Sequence, residues 1–130
     1  MSAILNLTQH EATKDQIEAG VFSPCSETLK TIRELMTFNS LPSYDDKIRA
    51  AESIAFHAGN LQEQYPEIEK AMIGGAPFFM RVLEDSLLTV GIEPVYAFSQ
   101  RENHEVVEDG KTNRLAIIKH LGFVSASDYL

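Results

Sequence analysis

The stretch Met72-Ile73-Gly74-Gly75-Ala76-Pro77-Phe78 constrains this chain more than any other. An apolar run ends at Ile73, two glycines follow, and Pro77 stands where the first turn of a helix tolerates it. A strand that turns through glycine into a helix brings backbone N–H groups to a helix N-terminus. That arrangement suits an anion or the polar edge of a ligand. A second junction of the same kind lies near the start, where Ala3-Ile4-Leu5-Asn6-Leu7 gives way to Thr8-Gln9-His10 and then to a helical pattern. Two polar strand ends of this kind predict one pocket.

The rest of the chain alternates between strand-like and helix-like segments. Residues 3–7 read as a short buried strand. Thr13 and Gln16 match a capping box for a short helix that ends at Gly20. Val21 and Phe22 read as a second strand, and Ser26 as the cap of a helix carrying Leu29, Ile32, Leu35 and Met36 at helical spacing. Asn39-Ser40-Leu41-Pro42-Ser43 is turn-like, with Ser43 capping a longer helix whose apolar face runs Ile48, Ala51, Ile54, Ala55, Ala58 and Leu61. Residues 70–73 read as a strand, and Pro77 to about Val90 as a helix closed by Gly91. Residues 94–98 form another strand. Residues 105–107 and 115–118 then flank Asp109-Gly110, a hairpin signal, and residues 120–124 close that hairpin or extend its second strand. Strands separated by helices imply a parallel sheet with right-handed crossovers. The expectation is one small Rossmann-like three-layer α/β domain over residues 1–130, mainly parallel, with a C-terminal β-hairpin at an edge.

Composition removes several function classes. A chain of 130 residues with 44% hydrophobic and 23% charged residues can bury a core of its own. No apolar run approaches the roughly 20 residues of a membrane span. Met1-Ser2-Ala3 leads into a strand without a basic region, so a secretory signal is not expected, and a cytoplasmic setting is the simplest reading. Cys25 is the sole cysteine. It excludes an internal disulfide and a multi-cysteine zinc site. Eleven basic residues scattered among nineteen acidic ones, for a net charge of −8, argue against nonspecific nucleic-acid binding.

In an open α/β sheet, ligands bind beyond the carboxyl ends of the parallel strands. Three segments are expected to meet there: Thr8-Gln9-His10, Gly74-Gly75-Ala76, and Ser99-Gln100-Arg101-Glu102. The glycine pair is neither a dinucleotide fingerprint nor a Walker loop. It serves close helix–strand packing or backbone contact with a ligand. His10 offers an imidazole, which suits general acid–base catalysis, or else it stabilises its own turn. Thr8 and Gln9 bind polar ligand edges or cap the turn. Arg101 can grip an anion with its guanidinium fork, or pair with Glu102 on the surface. Ser99 can donate a hydrogen bond, although no nucleophile elbow surrounds it. His120 reads as a core histidine, and His57 and His104 as solvent-facing, His104 in a polar turn. Tyr44 and Phe78 are candidates to flank a nucleobase, whereas Phe79 belongs to the core. The four histidines lack the spacing of a helical zinc site, so no metal and no cofactor are expected.

Asn6-Leu7-Thr8-Gln9-His10 with Thr13 and Gln16, Ile73-Gly74-Gly75-Ala76-Pro77, Tyr96-Ala97-Phe98-Ser99-Gln100-Arg101-Glu102 and His120-Leu121-Gly122-Phe123-Val124 together resemble a family of short, uncharacterised bacterial and phage proteins. More loosely, the first strand and helix resemble small CRISPR-associated Rossmann-fold proteins, the CARF domains and ring nucleases. That resemblance implies a dimer that binds a cyclic oligonucleotide at its strand ends, through Thr8, Gln9, His10, Gly74, Gly75 and Arg101. The chain departs from such a site by lacking Lys or Arg in its first two loops. The expected function is therefore a nucleotide-binding domain, cyclic oligonucleotides included, with hydrolysis of that ligand as the candidate reaction and a homodimer as the expected assembly. The alternative is a non-enzymatic phage or mobile-element protein whose acidic surface binds a host complex.

Overall fold

The computed structural model describes residues 3–126, so the outermost ends of the expected 1–130 domain lie outside the described residues. The elements are β1 (Ala3–Asn6), α1 (Lys14–Glu18), β2 (Val21–Phe22), α2 (Ser26–Leu35), α3 (Tyr44–Gln64), β3 (Ile68–Met72), α4 (Pro77–Thr89), β4 (Glu93–Glu108) and β5 (Lys111–Ser125). They form a mixed α/β fold with one five-stranded sheet in the order β2-β1-β3-β4-β5. The first four strands run parallel, and β5 is antiparallel to β4.

Strand alternation divides the buried side chains into two clusters. On one face Leu5 and Leu7 of the β1 region and Ala71 and Ile73 of the β3 region meet Ile32 and Met36 from α2, Ala51, Ile54, Ala55 and Ala58 from α3, and Phe79, Leu83 and Leu87 from α4. The small residues along α3 let it lie close to α4 and the sheet. On the other face Ile4, Val21, Met72 and Val95 form a smaller cluster, capped by Ala12 and Phe123. Two full helical layers are therefore not present. Three helices cover one face, and only the five-residue α1 accompanies the other. The crossover rule explains this division. The step from β1 to β2 runs one way along the sheet and the later steps run the opposite way, so a constant right hand puts α1 on the opposite side. Because α1 lies against both β2 and β5, the two edges of the sheet, the sheet curls.

Local signals set the helix ends. Thr13 and Gln16 form the expected capping box, as do Ser43 and Asp46. Ser26 is the first residue of α2 and not its cap; Cys25 holds the cap position, its thiol meeting the Thr28 hydroxyl at 3.3 Å and not a backbone N–H. Gly91, with φ 79°, ends the turn after α4.

The largest departure from expectation is β4. It continues through residues 99–108 and does not end near residue 98. No glycine or proline interrupts residues 95–108. In addition β5 supplies an antiparallel partner along that whole length, so the hydrogen-bond ladder has no reason to stop. Only residues 93–95 of β4 pair with β3. Beyond them β4 and β5 leave the domain as a two-stranded arm. Gly122, with φ 157°, marks the irregularity opposite Phe98 and Ser99, and Asp109 and Gly110, both at positive φ, make the tip. His104 accordingly lies within a strand and not in a turn, while His57 is half-buried on α3. His120 is half-buried with its ring 4.8 Å from that of Phe123, and neither of its ring nitrogens has a hydrogen-bond partner among the described residues.

The Asp46 carboxyl is held below its ordinary value near 3.8, first by the Ser43 backbone N–H that it accepts and then by the Ser43 hydroxyl. A depressed carboxyl adds stability above its unfolded value and loses it as pH falls through the folded one. Urea melts from pH 6 down to pH 3 are expected to show the native protein more stable than Asp46→Asn at pH 6, with the gap closing below about pH 4 as the carboxyl protonates.

Candidate functional site

Asn6 closes β1 with the one polar side chain among the fully buried residues described. A buried amide without partners is costly, so its surroundings have to satisfy it. They do so completely. Its Nδ2 donates to the His10 carbonyl at 3.0 Å and to Ser23 Oγ at 3.3 Å. Its Oδ1 accepts from the Thr8 backbone N–H at 3.0 Å and lies 2.7 Å from Thr8 Oγ1. Thr8 Oγ1 also accepts the His10 backbone N–H at 3.3 Å. The loop from Thr8 to His10 is thus folded around a single side chain. Its shape is a side-chain-to-backbone turn of the kind asparagine favours.

Strand pairing then brings this loop to the glycine turn. Leu7 N–H donates to the Met72 carbonyl and Ile73 N–H to the Val95 carbonyl, each at 2.9 Å. The ends of β1, β3 and the parallel part of β4 therefore lie side by side. Between them is a cavity of about 390 Å³ lined by Thr8, Gln9, His10 and Glu11, by Thr13 and Gln16 at the start of α1, by Met72 to Gly75, and by Tyr96 and Ala97. Tyr96 is fixed by its hydroxyl, which donates to Glu84 of α4 at 2.5 Å. The His10 side chain is exposed at this cavity, while its backbone is locked by Asn6.

The two glycines have different reasons to be there. Gly75 has φ 150° and packs beside the ends of Met36 and Met80, so a side chain at that position is strained. Gly74 has no such backbone demand, and an added methyl group would meet Thr8 Cγ2 at an ordinary 3.7 Å. Gly74 keeps space open on the cavity wall. Ala76 is the N-cap position of α4, which has no side-chain cap and no acid in its first turn.

Thr8, Gln9, His10, Gly74 and Gly75 are thus brought together at one cavity, with Ala76 one residue beyond its wall. Ser99, Arg101 and Glu102 are not among its lining residues. They lie inside β4 on the arm, paired across the ladder with His120, Ile118 and Ile117. Neighbouring strand residues face opposite ways, so Arg101 and Glu102 point to opposite faces, and Glu102 instead meets His104 at 3.2 Å. Phe78 and Tyr44 are exposed away from the cavity, and Phe79 is buried in the core as expected. Asn6, Glu11 and Tyr96 were not picked out as site residues. A lone asparagine inside an apolar strand run was the available signal for Asn6. No group of three or more His, Cys, Asp and Glu side chains among the described residues is placed to hold a metal ion. No described helix is long and apolar enough to cross a membrane.

The family model described as "Uncharacterized protein MJ1673 family" matches residues 2–124. No curated protein and no solved structure matches the chain.

Loss of Asn6 is expected to be felt through the loop. Asn6→Ala removes the Oδ1 that accepts both the Thr8 amide and the Thr8 hydroxyl, and leaves the His10 carbonyl with Thr8 Oγ1 alone as its side-chain donor, a loss of about 1–3 kcal/mol in urea unfolding. On the glycine turn the same measurement is expected to separate the pair, with Gly75→Ala losing about 1 kcal/mol or more and Gly74→Ala near neutral.

Proposed function

The chain belongs to that uncharacterised family, and we propose that its strand-end cavity receives a nucleotide. The observation that carries this reading is the position of the cavity. It opens at the carboxyl ends of β1 and β3, where the strand order turns from β1 outward to β2 on one side and to β3 on the other. In doubly wound sheets this switch point is where ligands collect. On this reading the domain is Rossmann-like, with its second helical layer reduced to α1. A volume of about 390 Å³ falls within the range of about 300–1,000 Å³ typical of small-ligand sites. The wall mixes hydrogen-bonding side chains at Thr8, Gln9, Thr13 and Gln16 with an apolar floor from Met72 and Ile73, a pairing that suits a base and a ribose.

His10 is the one imidazole on the cavity wall, the side chain most often used as a general acid or base. Its role is to carry a proton at the ligand, and hydrolysis of a phosphate ester is the reaction class that uses one. Thr8, Gln9 and the Gly74 backbone orient the ligand.

Thermal denaturation against a panel of mono-, di- and cyclic nucleotides tests the reading. A ligand at about 100 times its Kd adds roughly 2.7 kcal/mol, which moves the midpoint by several degrees in a domain of this size. The expected hit is lost or weakened about tenfold in His10→Ala, whose backbone hydrogen bonds are unchanged. A flat panel with folded protein overturns it.

A second reading concerns the arm, because it exposes Val107, Leu115, Ile117 and Ile118, with Ile118 at 74% and Val107 at 71% of full accessibility. Residues 99–108 of β4 carry three acids and one arginine, whereas residues 111–120 of β5 carry Lys111, Arg114 and Lys119 and no acid. An isolated two-stranded ribbon is marginal in water. The oppositely charged strands therefore favour the arm of a second copy as partner, giving a homodimer. Light scattering is expected to find a dimer that Ile118→Lys with Val107→Lys converts to monomer; a native monomer at the highest workable concentration would rule it out.

A further inference from the structure

A second cavity, of about 560 Å³, lies against the one at the strand ends. Glu11 lines both. The Gln9 side chain joins them, since its Nε2 donates to Thr37 Oγ1 at 3.1 Å, and Thr37 in turn donates to the Arg33 carbonyl at 2.9 Å. The second cavity is formed along α2 and the residues that follow it. Lys30, Arg33 and Asn39 supply donors, and Glu11 and Glu34 are the acids on its wall.

Arg33 carries an anomaly. Its Nε and Nη2 are buried, and neither has a hydrogen-bond partner among the described residues. A buried polar nitrogen without an acceptor is destabilising, more so when it belongs to a permanent cation. These two nitrogens form one edge of the guanidinium, the edge whose parallel N–H bonds match two oxygens of a carboxylate or phosphate. Neither Glu11 nor Glu34 lies within ion-pair distance of it, although both line the same cavity. The edge has no protein carboxylate as partner among the described residues, and the Arg33 side chain lines a space large enough for an oxyanion.

We propose that this cavity is an oxyanion subsite, in which Arg33 turns its Nε–Nη2 edge onto a phosphate group while Lys30 and the Asn39 amide donate from the wall. The proposal deepens the nucleotide reading and rests on it for the identity of the ligand. The base and ribose lie at the strand ends, and the phosphate reaches across Gln9 to α2. It also answers the lack of Lys and Arg in the first two loops, because α2 brings the cations in from another part of the chain. Two cations facing two carboxylates leave the cavity with little net charge. The anion is therefore held by directed hydrogen bonds and not by a long-range field, and Arg33 is the group on which it depends.

Heteronuclear NMR of the full chain, following the Arg33 Nε–H signal, tests this with inorganic phosphate and separately with adenosine. Sodium chloride at matched ionic strength is the control. The expected result is a saturable shift of the Arg33 signal and of the Lys30 and Thr37 amides with phosphate and not with chloride. Arg33→Gln is expected to weaken phosphate binding at those amides about tenfold or more. No saturable shift in the native protein, or a response to phosphate undiminished in Arg33→Gln, overturns the subsite. Adenosine separates the two ideas. Shifts at Thr8 and Gly74 with adenosine, alongside no response to phosphate, keep the strand-end reading and remove the subsite. Phosphate binding without any adenosine response keeps the subsite and removes the nucleoside.

Discussion

The side chain of Asn6 has to be satisfied in the interior, and much of the candidate site follows from that need. It stands at the end of the strand that both β2 and β3 pair with, on the same face as Ile4. Water does not reach it, so its amide has to find all its partners within the protein. Thr8, His10 and Ser23 supply them, and in doing so the loop after β1 takes its shape. The His10 side chain faces the cavity because its backbone is tied back to Asn6. A polar group in the sheet thus sets the geometry of a surface loop.

The same sheet contains two regimes of stability. Residues 93–95 of β4 pair with β3, at Val95 the ladder with β5 begins as well, and Val95 is buried. A few residues later the strand has only β5 beside it, and both its faces meet solvent. The inner part is stabilised by burial of apolar area. The outer part relies on the ladder, on cross-strand pairs such as Glu105 with Arg114, and on the Asp109-Gly110 turn. The inner part leads directly into Tyr96 and Ala97 on the cavity wall, whereas residues 99–108 of the arm do not line it.

The helix α2 links the core to polar chemistry. Ile32 is buried under the sheet, and Arg33 next to it in sequence turns toward the side cavity. Thr37 then ties the end of this helix to Gln9 of the β1 loop. The two cavities are consequently coupled through one hydrogen bond between side chains from distant parts of the chain.

Much of this architecture was legible from local signals. The capping boxes at Thr13 and Ser43, the Pro77 helix start and the Asp109-Gly110 turn each depend on interactions within a few residues, so the sequence by itself determined them. The meeting of Thr8-Gln9-His10 with Gly74-Gly75 was also readable, because parallel strands joined by crossovers must align their ends. The tertiary structure alone decided the rest. Residues 99–102 lie along the arm and not at a strand end, because β5 extends the ladder past them and no local breaker opposes it. The second helical layer shrinks to α1, because that crossover has only five helical residues to offer. Arg33 comes to the neighbourhood of His10 because α2 packs under the sheet, a contact between segments that neighbouring residues cannot specify. Caps and turns are short-range physics that a sequence states directly. Which side chains share a cavity is set by packing across the whole chain, where no single segment holds the information.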